Sequence, residues 1–410
     1  MPHIDIDPAQ VERWLSEFAT FGAHGKTGVW RTAYTPEWVA AADQYARWCT
    51  ESGLTMRRDA VGNVWGRLEG SDGGKVIATG SHIDTVTPGG RYDGALGAVG
   101  GLIAVAALGR QFGPPRRPLE AVALCEEESS RFPANFWGSR AIVGAIGPDD
   151  PEAIVSHDGT AIATAMRDIG LDPARCGEAA RDDIGAFVEL HIEQGPVLEH
   201  ADFGVGIVTG ITAIRGILVE LTGVQNHAGA FPMDLRADPM AGFAEIASGI
   251  IDMAHQIGRP AVTTVGRVMV EPNVPTVIPG CVRFNIDTRH ADPEACRALC
   301  ETQDALMREV ATRRGLGISW HVTSEHSACL SDAGILQTLR DGAAAQGVPV
   351  LELASGAAHD TQQIAKIAPV AMVFVRSREG RSHTTEEFST LEDMVAGIEV
   401  LAAGLHRLAY

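Results

Sequence analysis

Apolar positions along this chain fall into two periods. Residues 8–22 and 35–53 repeat them at helical spacing, and the second run starts at Thr35-Pro36, a helix-start pair. Short continuous apolar runs then alternate with longer small-residue or amphipathic stretches. KVIATG (75–80) reads as a strand, followed by a Gly-rich loop and a small-residue helix near 94–110. LEAVALC (119–125) and AFVELHI (186–192) read as further buried strands, and PVLELA (349–354) and PVAMVFV (369–375) resume the series late in the chain. This alternation predicts an α/β fold, a mixed but mostly parallel sheet flanked by helices on both faces.

The middle stretch breaks the pattern. TAIRGILVELT (212–222) alternates like a half-exposed strand, 238–257 reads as a helix starting at Asp238-Pro239, and strands follow at 261–271 and 277–288. A helix at 292–313 and a strand at 316–323 complete the order βαββαβ, a ferredoxin-like α+β unit. The expected organisation is a discontinuous catalytic domain, 1–211 with 329–410, and an inserted domain at 212–328. At 410 residues, two cores are expected on size alone.

Composition narrows the class. Apolar residues make up 45% and charged residues 21%, a globular balance. No apolar run approaches the roughly 20 residues of a membrane span, and MPHIDIDPAQ lacks the basic and apolar segments of a signal peptide, so a cytoplasmic protein without a membrane partner is expected. The formal net charge of −19 repels phosphate backbones and argues against nucleic acid as a partner. The seven cysteines are scattered and lack a CxxC, as expected of reduced thiols, with Cys296 and Cys300 spaced to share one helix face.

Metal-type side chains stand at the ends of the apolar runs: His82 in GSHIDT, Asp93 in GGRYDGALG, Glu128 in CEEESSRF, His191 in ELHIEQG and His383 in GRSHTTEE. Exits of parallel strands converge on one sheet edge, where α/β folds place their sites. Two imidazole-and-carboxylate clusters sharing a carboxylate suit a pair of divalent cations that activate water. Asp84, two residues from His82, is placed to take the spare ring N–H of that histidine. Glu126-Glu127-Glu128 repel one another unless cations or protons intervene; if one is a ligand, a neighbour such as Glu127 stays free as a base. Each signal has an ordinary alternative: a hydrogen-bonded His–Asp pair, an Asp N-cap, a solvated acidic loop. HExxH, GxSxG and P-loop motifs are missing from the sequence.

The strings GSHIDTV, GGRYDGALG, EEESSRF, WGSR, HIEQGPVLE, NHAGAFPM, VIPG, DTRH, SGAAHD and SHTTEE occur in this order. Together they resemble the carbamoylase, allantoate amidohydrolase and β-ureidopropionase branch of the dinuclear aminoacylase/carboxypeptidase superfamily. The resemblance implies a metal-dependent amidohydrolase cleaving a linear amide or ureido C–N bond of a small carboxylate, foremost an N-carbamoyl-L-amino acid, with allantoate or an N-acyl-amino acid or dipeptide as alternatives. It implies two divalent ions per subunit (Zn²⁺ or Mn²⁺, with Co²⁺ or Ni²⁺ compatible). Asp93 would bridge them, His82, Glu128, His191 and His383 would complete their shells, and Glu127 would be the general base. His227 of NHAG resembles the histidine that reaches across a homodimer to polarise the scissile carbonyl, although it also suits a loop cap before Phe231-Pro232. Arg289 of DTRH resembles the residue that grips the substrate carboxylate, and Arg215, Gln194, Thr276 and the Gly356 backbone are the other implied substrate contacts. The inserted domain would be the lid and the dimerisation surface. Thr276, Ser129 and Ala358 depart from the Asn, Gly and Gly common in the family.

Overall fold

Four runs that are apolar at nearly every position become the centre of one sheet. In spatial order they are Val370–Val375, Ile184–Ile192, Val76–His82 and Leu119–Leu124, each parallel to the next. Every residue in three of them is buried, and only Gly185 of the fourth is not. A strand covered on both faces needs side chains that tolerate burial both up and down, which is why these runs do not alternate. The computed structural model that shows this describes residues 3–410. The chain divides into two compact units, one holding the chain through Thr209 with Leu330–Leu353 and Ala357–Tyr410, the other Gly210–Cys329 with Ala354–Gly356.

The first unit's sheet is mixed, with those four strands forming a parallel centre. Val64–Leu68 and Thr55–Arg58 extend it as antiparallel strands beyond Leu119–Leu124, and Val205–Ile211 runs antiparallel beside Val370–Val375. The expectation of a mostly parallel sheet is corrected accordingly. The flanking strands are short, partly polar or tightly linked, so the apolar-run signal that marks the centre passes over them. Val350–Ser355, read as another buried strand, instead pairs with Val205–Ile211 and is mostly half-exposed.

Helix Ala95–Phe112 lies against the central strands and against helices Pro8–Phe18 and Leu391–Ala409. By length and apolarity its 18 residues could cross a bilayer, contrary to the expectation that no run comes near that length, but the helix is largely buried within this unit. Its glycines permit the approach: a Cβ at Gly97 would collide with the Leu190 carbonyl oxygen. Leu190 immediately precedes His191, so this contact fixes the strand that carries a site histidine.

The second unit is an antiparallel sheet in the order Val262–Thr264, Cys281–His290, Ala213–Thr222, Gly317–His326, with Val268–Glu271 also on Cys281–His290. Helices Pro239–Ile257 and Pro293–Arg313 supply Ile246, Ile250, Met307 and Val310 to a core completed by Ile217, Val219, Leu221, Val282, Phe284 and Ile286. Two expected strands are each divided. The run 261–271 separates into Val262–Thr264 and Val268–Glu271, and 277–288 breaks at Pro279-Gly280, since proline has no N–H for a ladder. The freed piece, Val277–Ile278, pairs with Asn226–His227.

Gly97→Val should destabilise the protein by about 1–3 kcal/mol through overpacking, read as a lower denaturant midpoint with an unchanged slope. An unchanged midpoint would contradict the close helix–strand contact.

Candidate metal centre

His82 is the last residue of its strand and His191 the last but one of the neighbouring parallel strand. The His82 Nδ1 donates to the Asp84 backbone carbonyl at 3.0 Å, and the His191 Nδ1 donates to the Ile192 carbonyl at 2.9 Å. A carbonyl only accepts, so each Nδ1 carries a proton, and in the neutral ring Nε2 is the nitrogen left with a lone pair. Both Nε2 atoms stand near one oxygen, Asp93 Oδ1, at 3.7 Å from His82 and 3.2 Å from His191, and the His191 Nε2 also accepts the Gly94 N–H at 3.2 Å. That oxygen is buried and has no hydrogen-bond partner.

Asp93 reaches this position from the turn before helix Ala95–Phe112. Gly94 has φ +63°, and a Cβ there would collide with the His82 ring, so the turn requires glycine. Asp93 does not cap the helix. Its Oδ2 accepts from Gln194 Nε2 at 3.1 Å and Ser382 Oγ at 3.0 Å. Its backbone N–H donates to Glu387 Oε1 at 3.0 Å, and the N–H of Tyr92 donates to the same oxygen at 2.8 Å.

The acidic triplet splits in direction directly after strand Leu119–Leu124. Glu126, at φ +50°, turns away and accepts the Phe132 N–H at 3.1 Å. Glu127 and Glu128 turn toward His82, and the ligand atoms of the three lie within 4.8 Å of one another. The Asp84 carboxylate accepts the backbone N–H groups of Glu127 and Glu128, all at 3.1 Å. This corrects the expectation that the carboxylate would take the His82 ring N–H: it lies 3.8 Å from Nδ1, and the Asp84 carbonyl takes that role. Asp84 thus holds the histidine with its backbone and the acidic loop with its side chain.

His383 completes the group from a loop, at φ +56° and with its side chain 52% exposed. Its Nε2 lies 3.3 Å from Asp93 Oδ2 and 3.5 Å from Glu128 Oε1. Two triads therefore share Asp93: His82–Asp93–His191 and Asp93–Glu128–His383, each with its ligand atoms within 4.8 Å. Acceptors that converge on an unbonded oxygen in a buried pocket are relieved by cations between them or by protons. The donor set of three imidazoles and two carboxylates fits two divalent ions with mixed N/O ligation.

Electrostatics show the same deficit. Burial, then Asp93 and Asp84, push the Glu128 carboxyl up to about 10. Burial and Asp84 push Glu126 to about 8, and burial and Asp93 push Glu387 to about 7. Glu127 rises well above the carboxylate range through burial, then the Glu128 charge. Burial opposes protonation of His191, yet the adjacent Asp93 carboxylate outweighs it and raises the imidazole to about 9. Without metal, protons fill the gaps.

The remaining expected residues are placed less uniformly. Gln194, at φ +57°, lies directly on Asp93. Arg289 and Gly356 meet, with the guanidinium Nη1 donating to the Gly356 carbonyl at 2.6 Å while Nε pairs with Asp287 at 2.7 Å. Arg215 does not join them. It forms a two-pronged pair with Asp304 at 3.0 and 3.1 Å on the helix-covered face, whereas Arg289 stands on the opposite face of the same sheet. His227 and Thr276 are neighbours through the Ala228 N–H, which donates to the Thr276 carbonyl at 3.0 Å. Ser129, at φ +54°, occupies a conformation that suits the family's glycine, and its Oγ donates to Asn135 Oδ1 at 2.6 Å. Nothing in the structure explains Ala358.

Sequence reasoning passed over several groups. Ser382 and Glu387 brace Asp93, and both lie in the SHTTEE string around His383. Buried His359 stacks edge-on against His191 at 4.6 Å and, with Glu189, forms a further three-residue group around it. Glu189 was accessible to the period of two, since it precedes His191 by two residues on one strand.

The metal-free folded chain holds protons on Glu126, Glu128, Glu387 and His191 that the unfolded chain releases near 4.5 for the carboxyls and 6.5 for the imidazole. Its stability is therefore lost as pH rises toward those raised values. Chelator-treated protein should melt at a lower temperature at pH 9 than at pH 6, and added Zn²⁺ or Mn²⁺ should restore more at pH 9. A melting temperature that rises with pH in the chelated protein would contradict the cation deficit.

Residues 78–407 match Peptidase family M20/M25/M40. The chain is 37% identical over 401 residues to an allantoate amidohydrolase of Escherichia coli (strain K12), covering 98% of each. It is 38% identical over 400 residues to an N-carbamoyl-L-amino acid amidohydrolase of Geobacillus stearothermophilus, covering 96% of this chain and 97% of that one. A hydantoinase/carbamoylase family amidase from Burkholderia multivorans superposes with a TM-score of 0.93 at 32% identity, over 100% of this chain and 99% of the other. The strand-end histidines, the shared aspartate and this full-length likeness lead to one assignment: the chain belongs to peptidase family M20/M25/M40.

Proposed function

We propose that this protein is a metal-dependent amidohydrolase that cleaves a ureido C–N bond in a small carboxylate, with N-carbamoyl-L-amino acids as the first candidates and allantoate as the second. The observation that carries the reading is the unbonded Asp93 Oδ1 between two imidazole Nε2 atoms, with Glu127 held alongside by Asp84. The named relatives support the substrate class. Both of their substrates carry a ureido group on the carbon next to a carboxylate, so one arrangement of carbonyl-polarising and carboxylate-gripping groups serves either.

His82, His191, Asp93, Glu128 and His383 would hold two divalent cations, Zn²⁺ or Mn²⁺, which when bound polarise the scissile carbonyl and acidify the attacking water. The Glu127 carboxylate takes a proton from that water as its oxygen attacks the carbonyl carbon. It then delivers the proton to the departing nitrogen as the C–N bond breaks. An N-carbamoyl amino acid and water thereby give the amino acid, ammonia and carbon dioxide. His227 donates a hydrogen bond to the developing oxyanion, as the family pattern implies. Arg289, with Gly356 and Thr276, faces the substrate carboxylate; a guanidinium offers two parallel donors for it. Gln194 lines the metal side. Arg215, held by Asp304, supports the sheet behind Arg289 and does not itself touch substrate. The reading includes a cytoplasmic homodimer, with the Gly210–Cys329 unit as its ferredoxin-like lid and dimerisation domain.

Glu127→Gln should keep two metal equivalents by elemental analysis while turnover falls by about 100- to 10,000-fold. Near wild-type turnover would remove Glu127 from the role of base. In a panel of N-carbamoyl-L-amino acids, allantoate, N-acetyl-amino acids and dipeptides, the Mn²⁺- or Zn²⁺-loaded enzyme should favour the ureido compounds. Preference for the acetyl compounds or dipeptides would overturn the substrate class.

A further inference from the structure

His227 closes the two-residue strand Asn226–His227 and stands exposed at the head of the loop Ala228–Phe231. Its Nδ1 accepts two backbone N–H groups, from Gly229 and Ala230, both at 3.0 Å. With that lone pair engaged, the neutral ring carries its proton on Nε2, where it can be donated outward. The loop thus sets the tautomer. It also decides where the donor points, because the ring is anchored on amides of the loop itself.

The same loop is held from its other side by one side chain. Arg236 donates from Nε to the Phe231 carbonyl at 3.0 Å and from Nη2 to the Ala228 and Phe231 carbonyls at 2.6 and 2.8 Å. Arg236 is half-buried, and no ion pair to it is found among the described residues. A half-buried arginine often answers a carboxylate. Here the rigid fork joins two carbonyls three residues apart, turning the amides between them toward the imidazole. The two remaining loop donors are also engaged: the Ala228 N–H goes to the Thr276 carbonyl at 3.0 Å and the Phe231 N–H to the His227 carbonyl at 3.3 Å.

We propose that Arg236 is a positioning residue for His227: by tying the Ala228 and Phe231 carbonyls together it holds the Gly229 and Ala230 amides on Nδ1 and so keeps His227 an Nε2–H donor aimed at the substrate carbonyl. This rests on the role of His227 in the proposed function. Lysine replaces it only in part, since a single ammonium lacks the planar fork that spans both carbonyls.

The test is a double-mutant cycle on the Mn²⁺- or Zn²⁺-loaded enzyme with N-carbamoyl-L-alanine and allantoate. H227A should lower kcat by roughly 100- to 1,000-fold, the range for losing one oxyanion donor. R236A should lower kcat by about 10- to 100-fold through misplacement, with KM and metal content little changed and partial recovery in added guanidinium. The double variant H227A/R236A should be no slower than H227A, because Arg236 acts only through the ring. Nitrogen NMR of histidine-labelled protein adds a readout apart from activity: the resonance lost in H227A should show the Nε2–H tautomer in the wild type and a tautomer mixture in R236A. Should R236A fold poorly, R236K carries the same cycle, with a smaller loss expected. Wild-type kcat in R236A, or a full further loss on adding it to H227A, would overturn the proposal. Wild-type turnover in H227A, beside an inactive Glu127→Gln, would remove the role of His227 and the proposal with it while leaving the metal chemistry standing.

Discussion

The first unit is organised around an unfavourable meeting of acceptors. Two imidazoles, each fixed as the Nδ1–H tautomer by a backbone carbonyl, direct their other nitrogen at one buried carboxylate oxygen that has no donor of its own. In an ordinary core such an arrangement would be removed, because buried polar groups without partners cost several kcal/mol. Here it is held in place from several sides. The Glu387 carboxylate grips the backbone of Tyr92 and Asp93, Gln194 and Ser382 hold the other Asp93 oxygen, and Gly94 leaves space for the His82 ring. In the proposed centre that cost falls on the metal-free state, and a bound cation would relieve it.

The scaffold makes this possible because the relevant strands are parallel and adjacent. His82 and His191 stand at the same ends of neighbouring strands, and the acidic loop leaves the next strand over, so three candidate ligand segments open on one edge without long excursions. Asp84 then couples two of them, its backbone to one ring and its side chain to the amides of Glu127 and Glu128. That coupling separates the roles within the acidic triplet: Glu126 is turned away, Glu128 joins His383, and Glu127 is left beside the site.

Much of this was legible in the sequence, and the parts that were not share a cause. Continuous apolar runs gave away the four central strands because burial on both faces leaves no other composition. The antiparallel flanks were silent, being short and half-exposed. Helix Ala95–Phe112 is so uniformly apolar that periodicity said little about which side it presents. Candidate ligands at strand ends could be picked out because histidines and carboxylates are conspicuous after apolar runs. Bracing groups such as Glu387 and Ser382 could not be weighed, since their role depends on a loop folding back over nearly three hundred residues. For Asp84 the choice between carbonyl and carboxylate lies below what spacing can resolve. For Arg215 and Arg289, likeness suggested a shared role, and strand alternation places them on opposite faces.

The most direct test of the central claim is an anomalous-scattering crystal structure of the protein grown with Mn²⁺ or Zn²⁺. The account predicts two peaks, one on each side of the Asp93 carboxylate, the first touching His82 and His191 and the second Glu128 and His383. A single peak, or metal bound elsewhere with Asp93 Oδ1 still unbonded, would contradict it.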